Sequence, residues 1–257
     1  MSNAKANGTS VNSTNASNTS VSVSSMRASK PSRADHAGRH VVALGLAIVS
    51  FAASERAAAQ CAPESPVNNA TVTCTGATRN QNRPDGYGTA TDTGNTINVL
   101  SGASVTGDRF GLIFDSGTVK NSGTISGGFG ASAIVANRAT IDNFGTISAG
   151  TLGTGISASV ATVTNFRSGT ISAEDGGIGI EVSNATVDNF GRILADGTGI
   201  LAGTATVTNF RSGTISGGTG ILAFGPSTIV NAGAIIGLDG TAIELRANAD
   251  TLTLLPG

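Results

Sequence analysis

From Thr118 onward the apolar and polar positions of this chain recur with one period. The unit reads T-[VI]-x-N, then a turn containing Gly, then G-[TRA]-I or a close variant, then a Gly-rich turn and an apolar pair around a second Ile. The first motif places Asn121, Asn143, Asn165, Asn189, Asn209 and Asn231 at spacings of 22, 22, 24, 20 and 22 residues. Isoleucines follow at 125, 147, 171, 193, 215 and 235, and a second set stands at 134, 156, 180, 200, 221 and 243. A period of this length predicts a solenoid, in which no unit can bury its apolar face without neighbours.

The residue types select the kind of solenoid. Leucine is too scarce for leucine-rich repeats, and no stretch has the 3.6-residue spacing of a helical repeat. Each unit instead holds short β-branched segments separated by Gly, Asn and Ser, which read as strands and turns. Alternate positions of TVDNFGTI-like stretches share one face, the two-residue period of a sheet. The expected fold is all-β: a single-stranded parallel β-helix with coils of about 22 residues, each made of three short strands and three turns, stacked about 4.8 Å apart. Stacking puts Val or Ile on Val or Ile. It also lines up six Asn amides, each able to donate to an oxygen in the next coil. Asn is further expected to supply left-handed backbone at a tight corner, as is Gly at the other corners.

Phe144, Phe166, Phe190 and Phe210 each follow a ladder Asn directly, with Ser122 and Ala232 at the same place in the end units. At the coil spacing their rings can stack. The plain expectation is packing beneath the enlarged turns that hold Arg167-Ser168 and Arg211-Ser212. The sharper one is a contact stripe for a partner or a neighbouring molecule.

Composition changes the picture mainly at the N-terminus. Residues 1–25 are a low-complexity Ser/Asn/Thr tract with Lys5 as their only charge. Met26 then opens a basic stretch (Arg27, Lys30, Arg33, Arg39), the apolar run Val41–Ala53 follows, and Ala57-Ala58-Ala59 closes it. That order predicts an export signal over 26–59, cleaved after Ala59, with Met1 or Met26 as the start. Next come a cap region over 60–94 and the β-helix over 95–257. Residues 60–257 carry 9 basic and 14 acidic side chains, a net charge of −5, which argues against nucleic acid as a partner. They contain no run apolar enough for a membrane-spanning helix. Cys61 and Cys74 are the only cysteines. In an oxidising compartment they are expected to form a disulfide worth about 3 kcal/mol, since two thiols without histidines make a poor metal site.

The export signal, the early Cys pair, the SPVNNATVTCTG opening and the tandem N-x-G-T-I-S-G coils resemble passenger domains of bacterial autotransporters. The terminal D-T-L-T-L-L-P-G (250–257) is similar to an element common in such passengers. The resemblance implies a cell-surface or extracellular β-helix engaged in adhesion to a host or matrix, or in self-association. It also implies a C-terminal β-barrel translocator, which does not follow Gly257. A truncated frame or a separate export partner would account for that, with a periplasmic location if no translocator is supplied.

Catalytic chemistry finds little footing. Both histidines, His36 and His40, precede Ala59, so the exported part has neither a Ser-His-Asp triad nor His-based zinc catalysis. Gly176–Glu181 only approaches a calcium nonapeptide, and Gly197-Thr-Gly199 is no dinucleotide fingerprint. No cofactor is expected. Asp142 and Asp188 share a repeat position two coils apart, about 10 Å, just beyond the ~6.5–9.5 Å of inverting glycosidases. Glu174, Asp175 and Asp196 fall in one turn of adjacent coils, a weak Ca²⁺ candidate against the simpler reading of a solvated turn. The leading expectation is a non-enzymatic surface module. The alternative is a glycoside hydrolase or lyase of the β-helical kind, for which the turns are short and the charges scattered.

Overall fold

A β-branched residue at every second position favours extended backbone, and the computed structural model, which describes residues 60–256, is built from strands with no helix among those residues. The expected leader and its cleavage site at Ala59 lie outside the described residues. Each central coil contributes a short strand and a long one, such as Thr146–Ala149 followed by Thr154–Asn165. Strands pair in parallel with their equivalents one coil away, so the 18 strands form one continuous wound sheet.

The register matches residue to residue. One column runs Val72, Ile97, Val119, Ile141, Val163, Val187, Val207, Ile229 and Leu252, which marks eight full turns. Ile125, Ile147, Ile171, Ile193, Ile215 and Ile235 form a second column. Ile134, Ile156, Ile180, Ile200, Ile221 and Ile243 form a third. Most of these side chains are wholly buried, and together they are the core. Burying one such side chain contributes roughly 1.5–3 kcal/mol, and only the stack makes that burial possible.

Two details differ from the sequence reading. Parallel pairing begins at Thr71, not near residue 95, because Thr71–Cys74 and Ala77–Arg79 already pair with the next coil. In addition, one of the three expected corners is not a turn. In Ser132–Asn143, Ala136 and Ala139 both point inward while Asn137 and Arg138 between them are exposed. Two consecutive outward residues bend the strand without breaking its pairing, so two of the expected short strands merge into one.

The N-terminal end is closed by its own side chains. Cys61–Ala62 pairs antiparallel with Thr73–Cys74, and a buried Cys61–Cys74 disulfide pins the pair. Asp85 is buried, and its carboxylate accepts from Arg109 Nε (2.9 Å) and Nη2 (2.8 Å). Asp92, also buried, accepts from Ser65 Oγ (2.6 Å), Thr89 Oγ1 (2.6 Å) and the Val67 and Thr89 amides. Tyr87 bridges to Leu112 in the next coil, and its hydroxyl donates to Pro63 O (2.7 Å).

Burial first, and the nearby Asp92 carboxylate second, push the Tyr87 phenol up to about 12. A raised phenol pKa means that the folded state keeps a proton which the unfolded chain loses above 10.0. Its stabilising contribution is therefore complete below pH 10 and disappears as pH rises from about 10 through about 12. Tyr87 is the only tyrosine and there is no Trp, so tyrosinate absorbance reports this one group. Ionisation is expected well above the ordinary phenol range and together with loss of the β-sheet circular-dichroism signal. Ionisation at the ordinary value in a still-folded chain would contradict the buried placement.

Candidate functional site

The six ladder asparagines close the ends of their strands and line up in one file. Each amide nitrogen donates to the next carboxamide oxygen: 121 to 143 (2.8 Å), 143 to 165 (2.9 Å), 165 to 189 (2.9 Å), 189 to 209 (2.8 Å) and 209 to 231 (2.8 Å). The second proton of each donor goes to a backbone carbonyl of the next coil, as from Asn121 to Thr146 O (3.0 Å) and from Asn143 to Thr170 O (3.2 Å). The first five amides are completely buried. Among the described residues no buried side-chain nitrogen or oxygen lacks a hydrogen-bond partner. All five links point the same way, and the column is bounded by Val99 before Asn121 and Leu254 after Asn231.

None of these asparagines has a positive φ, which corrects the expectation that they supply left-handed corners. Nor do the glycines two to four residues later. At Gly145 a Cβ would strike the Gly123 carbonyl, and at Gly191 the Phe166 and Gly169 carbonyls. Close approach of successive turns, rather than backbone handedness, requires glycine there.

The phenylalanines stack in pairs. Ring centroids are 3.9 Å apart for Phe144–Phe166 and 3.8 Å for Phe190–Phe210, both nearly parallel, but 6.5 Å for Phe166–Phe190. Turn length explains the alternation. Asn165 and Asn209 are followed by the four residues Phe-Arg-Ser-Gly, whereas Asn143 and Asn189 are followed only by Phe-Gly. In each long turn a serine reaches back, Ser168 Oγ donating to Phe144 O and Ser212 Oγ to Phe190 O, both at 2.8 Å. Phe144 is exposed and the other three rings are half-buried, so the stripe presents ring edges at a corner.

The acidic corner becomes a hydrogen-bonded turn. Asp196 Oδ2 accepts from the Asp175 amide (2.7 Å), and Asp175 Oδ2 accepts from Thr151 Oγ1 (3.0 Å). The Glu174 carbonyl accepts from the Leu152 and Gly177 amides. Among the described residues no three carboxylates, cysteines or histidines converge in a way that could hold a metal ion. Of the Ca²⁺ candidate Glu174, Asp175 and Asp196, the Asp196 carboxylate caps a backbone amide, the Asp175 carboxylate takes a threonine hydroxyl, and Glu174 takes part through its main-chain carbonyl. Asp142 and Asp188 lie in one column two coil steps apart, with Thr164 between them.

A feature that sequence reasoning missed lies along the bend. The first Thr of each T-[VI]-x-N motif points outward, and nine threonines stand in file: Thr71, Thr96, Thr118, Thr140, Thr162, Thr186, Thr206, Thr228 and Thr251. Two residues before them, Ser116, Arg138, Val160, Asn184 and Thr204 form a second outward file. A shallow axial groove runs between the two. It is seen as depressions of about 260 and 320 Å³ that share Val160 and Thr162. Its floor is the backbone at Ala139, Ala161, Ala185 and Ala205. The recurring T at the head of the motif was the available signal.

No helix among the described residues is long and apolar enough to cross a membrane. Set against known protein families, characterised proteins and solved structures, the chain matches none of them.

The ladder geometry ranks its members. Asn165→Ala leaves Asn143 without its acceptor and Asn189 without its donor, both wholly buried. At 1–3 kcal/mol for each orphaned group, the variant should lose about 2–6 kcal/mol in denaturant unfolding. Asn231→Ala, half-buried at the end of the file, should lose less than half as much. Equal losses would show that the file does not act as a connected column.

Proposed function

We propose that this chain is an exported, non-enzymatic surface module of the autotransporter-passenger type, acting by adhesion or another surface interaction. The observation that carries the reading is the disulfide-pinned solenoid. A buried Cys61–Cys74 bond closes the end of the coil stack, and structural disulfides persist where the surroundings oxidise. The basic, apolar and small-residue order over 26–59 supplies the route to such a compartment.

Eight turns at about 4.8 Å make a rod roughly 38 Å long, held by core columns and a satisfied polar file. A repeating wall of this kind suits contact along its length. The carboxylates that do meet in adjacent coils, Asp175 and Asp196, are engaged by a threonine hydroxyl and a backbone amide, which is the reason for placing the chain with binding modules rather than with polysaccharide-cleaving enzymes. A glycosidase needs two carboxyl groups at about 5–5.5 or 6.5–9.5 Å across one substrate bond.

Expression of the full chain in a bacterial host, with and without residues 26–59, tests the export part of this reading. The intact chain should leave the cytoplasm, begin at Gln60 and carry the oxidised Cys61–Cys74 pair. The deleted form should stay inside with both thiols free. Retention of the intact chain in the cytoplasm would overturn the proposal.

A further inference from the structure

The groove beside the threonine file has a chemistry that selects its occupant. From Ser116 to Pro226 it crosses five coil steps, roughly 24 Å at 4.8 Å per step. One wall carries Thr118, Thr140, Thr162, Thr186, Thr206 and Thr228, of which the last five are exposed. The other wall adds the hydroxyls of Ser116 and Thr204 and the Asn184 amide, with Arg138 as the one charged side chain lining it. We propose that this groove binds a linear, uncharged polysaccharide laid along the axis of the rod.

Four observations converge on that class. The walls are dense in groups that both donate and accept, the complement of sugar hydroxyls. With one cation over about 24 Å, the groove gives a polyanion such as nucleic acid or a sulfated glycan little to neutralise. A peptide strand is disfavoured for a different reason. The alanines of the floor lie inside parallel pairings, so their amides and carbonyls are spent between coils and cannot extend a sheet into the groove. The coil spacing is close to the rise per sugar of an extended β-1,4-linked glycan, whose successive sugars are turned by about half a revolution, so alternate sugars meet equivalent partners two coils apart. Binding at each coil is weak, and affinity accumulates along the chain. This inference concerns the groove alone and does not rest on export.

The test uses the chain from Gln60 onward with cellohexaose and chitohexaose as neutral probes and a heparin hexasaccharide as the charged one, followed by NMR chemical-shift perturbation. Neutral hexasaccharides are expected to shift the Thr140–Thr228 file, with trisaccharides weaker. Replacing Thr162 and Thr186 by Val keeps the β-branched shape and removes two hydroxyls, so it should weaken binding about tenfold. The same exchange at Thr146 and Thr170, on another face, should leave binding unchanged and serves as the control for folding. Four results would overturn the proposal: no shift with either neutral probe at millimolar concentration, shifts centred elsewhere, tighter binding of heparin, or equal loss in both double variants.

Discussion

In-register stacking of identical residues is the constraint on which this structure depends. A coil of about 22 residues has no inside of its own, and its Val and Ile become core only when a matching coil lies above and below. The asparagine file is the strictest expression of that constraint. An amide column in the dry interior is acceptable only if every member meets its neighbour, since a half-satisfied buried network costs more than an apolar one. A shift by one residue would set each amide against a residue that flanks its partner, such as Asp142 or Phe144 in place of Asn143, and would turn the isoleucines toward water, so the file fixes register as well as contributing hydrogen bonds. Val99 and Leu254 bound it with apolar side chains, leaving the two end amides to bond locally, Asn121 Oδ1 to Gly123 N and Asn231 Nδ2 to Gly233 O.

Glycine follows from the same crowding. The turns after the ladder asparagines sit so close to those of the preceding coil that a methyl group there would meet a carbonyl oxygen. Left-handed backbone does occur, at Leu152, Asp175 and Gly176 in another set of turns, and at Gly76 and Gly102 in the ladder-side turns of the first two coils, where Cys74 and Val99 replace asparagine. One solenoid thus uses glycine for two unrelated reasons, and only coordinates separate them.

Much of the fold was legible because stacked columns are written in the sequence as a period. The six asparagines, both isoleucine sets and the disulfide follow from spacing and from cysteine number alone. The first two coils were not legible. Cys74 and Val99 stand where the later coils have Asn, and the interval from Val72 to Ile97 is stretched by the loop that carries Tyr87. The bend escaped as well, since two outward residues in succession look like a turn in a linear pattern. The groove escaped for a related reason: it lies between two outward files on either side of that bend, and neither file is distinctive until curvature brings them together.

The alternating turns after the asparagine file carry a consequence of their own. Short and overhanging turns interleave, and the two overhangs share the octapeptide NFRSGTIS at 165–172 and 209–216, a displacement of 44 residues. The aromatic pairs and the back-reaching serines repeat on that doubled interval and not on the single one. The packing unit of this stretch is accordingly a couplet of coils. Loss of a lone coil between Phe144 and Phe210 would leave a ring without its mate, whereas loss of a couplet would keep the remaining rings paired.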